Sequence, residues 1–331
     1  MPLDHIMDQH SSRTLPAAGP ALASIEAVEA GLAGVGYIAS RAIATAVYLA
    51  HHLRKPVIVE GPAGVGKTEL AKSLSAWLEL PLVRLQCYEG LDETKALYEW
   101  KYGKQLLYTQ ILKDKIGSVI GAEDDLATAL AKLYRFGDAF FSRDFLEPRP
   151  LLRALEASRG AVLLVDEIDK ADEEFEAMLL EVLSNYQVTV PEIGTVCAGI
   201  APVVLLTSNS TRDLGDALKR RCLHLHIDFP DAALEGRIVA TRVPGIEARL
   251  LAQLVSFVQQ LRKADIRKPP SVSETIDWAR TLVLLHATVL GEAVAADTLN
   301  VLLKFEADIA VARDQLGELT RRARREAGVG A

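Results

Sequence analysis

The sequence predicts an α/β fold with a parallel sheet, because short apolar runs alternate with helical patterns along the chain. Residues 57–59, 161–165 and 202–207 form continuous, mainly apolar runs, which are typical of strands buried on both faces. The stretch Glu69–Leu74, after the first run, has the spacing of a helix. Ligands of such sheets bind at the carboxyl ends of the strands, so the polar residues that follow each run are the candidates for a functional site.

The first run leads into a phosphate-binding loop. Residues 61–68 read Gly-Pro-Ala-Gly-Val-Gly-Lys-Thr, a complete G-x-x-x-x-G-K-[ST] motif between a predicted strand and a predicted helix. In such a loop the lysine reaches the β- and γ-phosphates of a nucleotide, and the threonine hydroxyl holds Mg²⁺. We assign these roles to Lys67 and Thr68. The residues expected to contact the nucleotide are Gly61, Pro62, Ala63, Gly64, Val65, Gly66, Lys67, Thr68 and Glu69.

The second run delivers a cluster of carboxylates. It ends in Asp166-Glu167-Ile168-Asp169, at the edge of the sheet where the phosphate loop is also expected. Asp166 is placed to complete the shell of a bound Mg²⁺. Glu167 is placed to orient a water molecule for attack on the γ-phosphate. The sequence therefore predicts nucleotide hydrolysis.

Two further features complete the predicted site. Asn209 follows the third run and is placed to bridge the γ-phosphate and the attacking water. Arg220 and Arg221 precede a fourth apolar stretch, 223–227, where arginines can project out of their own subunit. A guanidinium group delivered across an interface to a transferring phosphoryl group is worth roughly 10³–10⁵ in rate.

Composition limits the choice of function. The chain has 331 residues, a formal net charge of −7 and three isolated cysteines, which fits two domains and reduced thiols and argues against a nucleic-acid-binding surface. The basic cluster Arg321–Arg325 is interpreted as solvated charge on a helix. His224 and His226 share one strand face, but without a nearby Cys or His partner in sequence a packed or interfacial pair is favoured over a metal site. No apolar stretch of 18 residues occurs, so no membrane span is expected.

These motifs resemble those of AAA+ ATPases, and among them the MoxR type. The resemblance rests on the phosphate loop, Val165–Ala171, Leu179–Leu183 with Gln187–Pro191, Thr207–Asn209 and Ala217–Arg221. Cys87–Asp92 and Ala96–Trp100 are similar to the CoxD-like branch, whose members are associated with the maturation of carbon monoxide dehydrogenase.

The resemblance implies a P-loop domain with a five-stranded parallel sheet of strand order 5-1-4-3-2, followed by a helical lid. We expect a flexible tail at 1–22, a nucleotide-binding α/β domain at 23–229 and the lid at 230–331. Lys67 and Thr68 then belong to Walker A, Asp166 and Glu167 to Walker B, and Asn209 is sensor 1. Arg221 is the chosen arginine finger, with Arg220 as the alternative. The lid segment 268–274 lacks the sensor 2 arginine usual in this family, for which Arg267 or Arg280 could substitute.

The resemblance also implies cofactors, partners and location. These are ATP and Mg²⁺, a cytoplasmic ring of identical subunits with six as the expected number, a von Willebrand A-domain protein, and a client metalloenzyme that receives its metal cofactor, specifically a molybdenum-containing dehydrogenase. Alternatives from other classes are an AAA+ ATPase acting on nucleic acid, one acting on another folded enzyme as an activase does, and a metabolic P-loop kinase. The kinase is disfavoured because it has no need of the Asp166-Glu167 pair. A non-hydrolysing scaffold is disfavoured because only the sensor 2 arginine is missing.

Many aromatic residues lie between 98 and 145. Most are interpreted as packing against the sheet, whereas Tyr98 and Trp100 are expected at the surface, in contact with a client. The stretch 187–197 alternates around a turn and predicts a β-hairpin.

Overall fold

Five parallel strands form the central sheet. They are β1 (Val57–Glu60), β2 (Leu82–Gln86), β5 (Val162–Asp166), β8 (Val203–Ser208) and β9 (Leu223–His226), in the spatial order β2-β5-β8-β1-β9. When these five strands are numbered one to five in chain order and read from β9, their spatial order is 5-1-4-3-2. This confirms the predicted α/β fold and its strand order.

The computed structural model describes residues 22–119, 140–191 and 193–329. Of the predicted tail, residues 1–21 lie outside the described residues, and Leu22 is buried against the first helices. Tyr134 and Phe136, from the aromatic stretch, also lie outside them.

The helices cover both faces of the sheet and continue beyond it. In chain order they are α1 (Ile25–Gly34), α2 (Arg41–Leu53), α3 (Lys67–Leu78), α4 (Glu93–Ala96), α5 (Tyr102–Val119), α6 (Pro150–Leu155), α7 (Glu173–Asn185), α8 (Asp216–Arg221), α9 (Ala232–Arg242), α10 (Ala248–Leu261), α11 (Val272–Leu284), α12 (Glu292–Leu302), α13 (Glu306–Asp314) and α14 (Leu316–Val329). Helices α1–α3 pack on one face of the sheet, and α6 and α7 pack on the other. The central strand β5 is buried along its whole length, as its continuous apolar run predicts.

Two antiparallel pairs stand outside the central sheet. Strands β6 (Gln187–Val190) and β7 (Gly194–Cys197) form the predicted hairpin. Strands β3 (Tyr98–Trp100) and β4 (Leu146–Pro148) pair across a long separation in sequence, with Trp100 opposite Leu146.

The β3–β4 pairing corrects one expectation. Trp100 is only 9% exposed and belongs to the core beneath the sheet, where its ring meets that of Phe141 edge-on at 5.3 Å between centroids. Tyr98 is half-buried and packs against the same core. The prediction that Trp100 contacts a client at the surface is therefore wrong, because its partner strand lies 46 residues further along the chain and gave no local signal.

Helices α9–α14 enclose a separate apolar cluster. Its largest side chains are Phe257 and Trp278, both fully buried, with ring centroids 5.1 Å apart. The indole Nε1 of Trp278 donates to Thr298 Oγ1 at 2.7 Å, so the buried polar atom has a partner.

A buried ion pair connects three of these helices. Glu235 on α9 and Arg262 at the end of α10 form two hydrogen bonds of 2.6 and 2.8 Å, with side chains 0% and 7% exposed. Thr275 on α11 donates to the same carboxylate at 2.9 Å, and Arg262 donates to the carbonyl of Pro270 at 2.8 Å. The guanidinium also lies over the ring of Phe229, 4.6 Å from its centroid, which connects the helical part to the segment after β9.

Across the stretches that the structure describes, no helix combines the length and the apolar character that crossing a bilayer requires.

We expect Arg262→Met to lower the free energy of unfolding by about 3–5 kcal/mol, because it leaves the Glu235 carboxylate buried without a counter-charge. Chemical denaturation followed by tryptophan fluorescence measures this loss. The control is Arg280→Met, which removes an exposed arginine from its pair with Asp277. Equal losses in the two variants would contradict a special role for the buried pair.

Candidate active site

The register of the sheet brings the ends of its strands to one edge. Glu60 at the end of β1 pairs with Ser208 at the end of β8, and Gln86 at the end of β2 pairs with Asp166 at the end of β5. The phosphate loop, the carboxylates and Asn209 all follow directly from these ends. The candidate active site is therefore built at the edge that the sequence predicted.

Gly61, Gly64 and Gly66 of the phosphate loop all have positive φ, a backbone that favours glycine, and at the first two a side chain would also clash. Gly61 has φ +147°, and a Cβ there would lie 1.9 Å from the carbonyl oxygen of Ile227. Gly64 has φ +75°, and a Cβ there would lie 2.4 Å from the side chain of Ser271. Of the other predicted contacts, Val65 is buried, Pro62, Gly66, Thr68 and Glu69 are half-buried, and Ala63 is exposed. Helix α3 begins at Lys67 directly after this loop, so its amino terminus attracts an anion held there.

The ammonium group of Lys67 lies at the centre of the site. Its Nζ donates to the carbonyls of Gly61 at 2.5 Å and Pro62 at 2.7 Å, and to Asn209 Oδ1 at 2.8 Å. Burial brings the pKa of Lys67 below its usual value. The nearby carboxylates of Asp169, Asp166 and Glu167 oppose this shift without reversing it. The structure thus joins two predicted residues, Lys67 and Asn209, that are 142 positions apart.

Asp166 has a full set of partners. Its Oδ1 accepts from Thr68 Oγ1 at 3.1 Å and from Thr207 Oγ1 at 2.5 Å. Its Oδ2 accepts from Arg84 Nε at 3.0 Å and Nη2 at 2.6 Å. The predicted pair of Thr68 and Asp166 is brought together, whereas Thr207 and Arg84 were missed.

Glu167 sits in a strained and polar position. Its φ of 57° and ψ of 51° place it in the left-handed region, which costs a residue other than glycine about 1–3 kcal/mol. Its Oε2 accepts from Gln86 Nε2 at 2.9 Å and Lys170 Nζ at 2.6 Å, and Asn209 Nδ2 lies 3.5 Å from Oε1. One oxygen of this carboxylate therefore faces Asn209, and the other is held by Gln86 and Lys170.

Asp169 anchors the loop that carries Asn209. Its Oδ2 accepts from the backbone N–H of Asn209 at 3.2 Å, and from Thr211 through the backbone at 3.1 Å and the hydroxyl at 2.6 Å. Burial raises the pKa of Asp169, but the hydrogen bonds from Thr211 and Asn209 outweigh it and bring the pKa below its usual value. Sequence reasoning gave Asp169 no role, although it stands three residues after Asp166.

The two candidate arginines lie at the end of α8, and both are exposed. Arg221 Nη1 donates to the hydroxyl of Ser184 on α7. Arg220 has no hydrogen bond or ion pair with any residue that the structure describes. Neither arginine donates to the phosphate loop or to Asp166 within the described part of its own chain.

A cavity of about 530 Å³ is lined by residues of the phosphate loop and of the helices after β9. It is lined by Tyr37, Ile38, Glu69, Arg242, Ile276 and Arg280, among others. Helix α11 starts here, and its first turn holds a capping box between Ser271 and Glu274.

Arg242 and Arg280 line this cavity, although neither stands at the start of α11. Arg280 lines the cavity and pairs with Asp277, whereas Arg267 lies over the ring of Phe305. Arg242, on α9, forms an ion pair with Glu69, which also lies 3.5 Å from Lys72 Nζ. Sequence reasoning missed Arg242, because nothing local distinguishes it from a solvated arginine.

His224 and three arginines of the basic cluster 321–325 have contacts within the chain. His224 Nε2 lies 2.6 Å from Glu60 Oε2, and the described parts of the chain contain no group of three or more His, Cys, Asp or Glu arranged to hold a metal ion. In the basic cluster, Arg321 donates to Gly317, Arg322 pairs with Glu326, and Arg324 donates to Leu290. These side chains are therefore in contact with other groups of the same chain.

The residues present fit a magnesium nucleotide. The atoms with which Thr68 and Asp166 would bind the metal are oxygens, the ligand type that Mg²⁺ prefers. The positive-φ glycines give the loop the tight backbone that a phosphate-binding loop requires, and the buried Lys67 supplies a positive charge at its centre.

Comparison with known proteins agrees with this geometry. Residues 56–222 match the family described as "AAA domain (dynein-related subfamily)". Similar curated proteins include uncharacterized proteins of Staphylococcus aureus strains NCTC 8325, COL and USA300. Each is 24% identical over 237 residues, which covers 70% of this chain and 76% of the relative. The family match spans half of the chain, from the residue before β1 to the residue before β9. The chain therefore belongs to the AAA+ ATPase family, in its dynein-related subfamily.

Proposed function

We propose that this protein binds ATP with Mg²⁺ and hydrolyses it. One observation supports this most directly. Lys67, Thr68, Asp166, Glu167 and Asn209, from three separate segments of the chain, are joined by hydrogen bonds and close contacts at one edge of the sheet. Each has the chemistry that hydrolysis of a phosphoanhydride needs at its position.

Each residue has a separate task in this proposal. Lys67 exchanges the carbonyls of Gly61 and Pro62 for phosphate oxygens, which are stronger acceptors because they are charged. The Thr68 hydroxyl and the Asp166 carboxylate hold Mg²⁺, which neutralises charge on the phosphates when bound. Glu167 and Asn209 orient a water molecule between them and the γ-phosphate.

The second carboxylate distinguishes hydrolysis from transfer to a small-molecule acceptor. A metabolic kinase needs a loop lysine and a metal-holding aspartate, but no water-orienting group beside them. Here Glu167 is held by Gln86 and Lys170 on one oxygen and faces Asn209 on the other. This arrangement supports an ATPase.

We propose that the helical part, residues 230–331, acts as a lid on the nucleotide domain, residues 23–229. Its support is the separate core of α9–α14 and the cavity between that part and the phosphate loop. The Arg242–Glu69 pair crosses from α9 to the first turn of α3. Together with the close approach of Gly64 to Ser271, this pair provides a route by which lid and loop affect each other, although no arginine stands at the start of α11.

We expect Glu167→Gln to bind ATP nearly as the wild type does but to lower turnover by about 10²–10⁴-fold, because only the water-orienting carboxylate is lost. Lys67→Ala should instead weaken binding by about tenfold or more, since it removes charge-assisted hydrogen bonds to phosphate. Nucleotide titration and phosphate release measure the two effects.

Glu174→Gln, an exposed glutamate in the first turn of α7, is the matched control and should behave as the wild type. Normal turnover in Glu167→Gln would remove Glu167 from its proposed role.

We propose that the protein works as a ring of identical subunits, with six as the expected number, and that Arg221 acts across the interface. Arg221→Ala should then bind ATP but hydrolyse it about 10³–10⁵-fold more slowly. Mixing Arg221→Ala with Lys67→Ala should restore part of the activity, because an interface between them combines an intact pocket with an intact arginine.

Mass measurement of the mixed rings is the control for that experiment. Confirmed mixed rings without any recovery would argue against a shared site. Loss of activity in Arg220→Ala, with Arg221→Ala unaffected, would transfer the role to Arg220, whose guanidinium is the one without a described partner.

We propose further that the ATPase is of the MoxR type and remodels a folded client during metal-cofactor insertion, with a molybdenum-containing dehydrogenase as client and a von Willebrand A-domain protein as partner. The support is the CoxD-like segment Cys87–Trp100. It begins directly after β2, so it starts at the edge of the site and leads to the exposed residues Tyr88, Glu89 and Gly90. Movement at the site during hydrolysis can therefore reach the surface along this segment.

Deleting the gene should leave the client enzyme at normal level and assembly state but with an incomplete metal site and low activity. Metal analysis and turnover of the purified client test this, with complementation by wild type and by Glu167→Gln as the matched pair. A client that is fully metallated yet inactive would favour an activase. A normal client together with a defect in DNA replication or repair would favour a nucleic-acid role.

A further inference from the structure

Arg84 contacts the proposed metal-holding carboxylate from the neighbouring strand. Arg84 lies on β2, paired with Leu164 of β5, and its side chain extends along the sheet to the strand end. Its Nε and Nη2 donate to Asp166 Oδ2 at 3.0 and 2.6 Å. The side chain of Asp166 is 5% exposed, whereas that of Arg84 is 51% exposed.

These contacts leave Asp166 without a free acceptor site. A carboxylate offers about four lone-pair positions, and Thr68, Thr207 and the two donors of Arg84 occupy four. A Mg²⁺ ion or its bound water also needs one of these oxygens. Therefore one present partner has to leave Asp166 when the metal binds.

Arg84 is the partner that leaves most easily. Thr207 is buried at 1% exposure and its hydroxyl also accepts from the backbone N–H of Glu167 at 2.9 Å, and Thr68 is itself a predicted metal ligand. Arg84 has a long side chain that is half in solvent, so water can take over its hydrogen bonds. Its positive charge is also repelled by an arriving cation.

Arg84 also connects Asp166 to Glu167. The same Nη2 donates to Gln86 Oε1 at 2.6 Å, and Gln86 Nε2 donates to Glu167 Oε2 at 2.9 Å. Release of Arg84 from Asp166 removes one of the contacts that hold the Gln86 amide. The orientation of Glu167 is thereby coupled to whether the metal is present.

We propose that Arg84 is a positioning residue that neutralises Asp166 in the metal-free site, competes with Mg²⁺ for it, and couples metal binding to the orientation of Glu167. This inference rests on the proposed Mg·ATP site. It predicts that removing Arg84 strengthens metal binding, an effect that loss of a merely structural contact would not produce.

The test uses Mn²⁺ as the metal and ADP as the nucleotide, with free Mn²⁺ measured by electron paramagnetic resonance. Arg84→Gln should bind Mn²⁺ in the presence of ADP about tenfold more tightly than the wild type, because the metal no longer displaces a charge-assisted pair. Arg84→Lys keeps the charge but loses the two-donor contact, so its affinity for Mn²⁺ should lie between those of the wild type and Arg84→Gln. Arg143→Gln, which removes an exposed arginine from its pair with Glu156, is the matched control and should equal the wild type.

Equal or weaker Mn²⁺ binding by both Arg84 variants, with the wild type binding normally, would overturn the role of Arg84 and leave the proposed ATPase intact. A wild type that binds ADP but no Mn²⁺ would overturn both. As an independent readout, the thermal midpoint of metal-free Arg84→Gln should fall below that of the wild type, and Mn²⁺ with ADP should raise it by more than it raises the wild type's. An equal rise of the thermal midpoint in the two proteins would also contradict competition between Arg84 and the metal for Asp166.

Discussion

Three carboxylates at the end of β5 repel one another, and the site is organised around their neutralisation. Asp166, Glu167 and Asp169 lie within four positions, and burying charges near each other is costly unless each has a partner. Arg84 pairs with Asp166, Lys170 pairs with Glu167, and hydrogen bonds from the Asn209 loop hold Asp169. Lys67 adds a buried positive charge among all three. The strands and loops around the site bring these partners to one edge of the sheet.

The parallel register is what allows that arrangement. Strands β2, β5, β8 and β1 end at the same edge, so β2 contributes Arg84 and Gln86, β8 contributes Thr207, and β1 leads into the loop of Lys67. A magnesium nucleotide brings both positive and negative charge to this edge. In the function we propose, Lys67 and Arg84 then exchange partners, and release of Arg84 changes the contacts that hold Glu167.

Much of the site could be predicted because its residues directly follow apolar strands. Asp166, Glu167 and Asn209 stand at the ends of apolar runs. Lys67 and Thr68 close the loop motif that follows another run, so sequence position places all five at this edge of the sheet. Arg84 and Gln86 carry a weaker signal, two polar residues at alternate positions of one strand and therefore on the same face. The residues that they contact could not be inferred without knowing that β5 lies beside β2 in the sheet.

Other features depend on contacts that are distant in sequence. Trp100 was expected at the surface and is buried, because its environment is set by a strand 46 residues away. Arg242 and the buried Glu235–Arg262 pair lie on helices whose relative placement no local pattern describes. In each case the sequence gives the chemical character of the side chain but does not show which residue it contacts.

The account can be tested most directly by a crystal structure of the protein with Mg²⁺ and a non-hydrolysable ATP analogue. It predicts that Lys67 Nζ has exchanged the carbonyls of Gly61 and Pro62 for β- and γ-phosphate oxygens, while Thr68 and Asp166 lie at the metal and Arg84 has left Asp166. A nucleotide bound elsewhere, or one bound in the loop with Lys67 still held by those carbonyls, would contradict it.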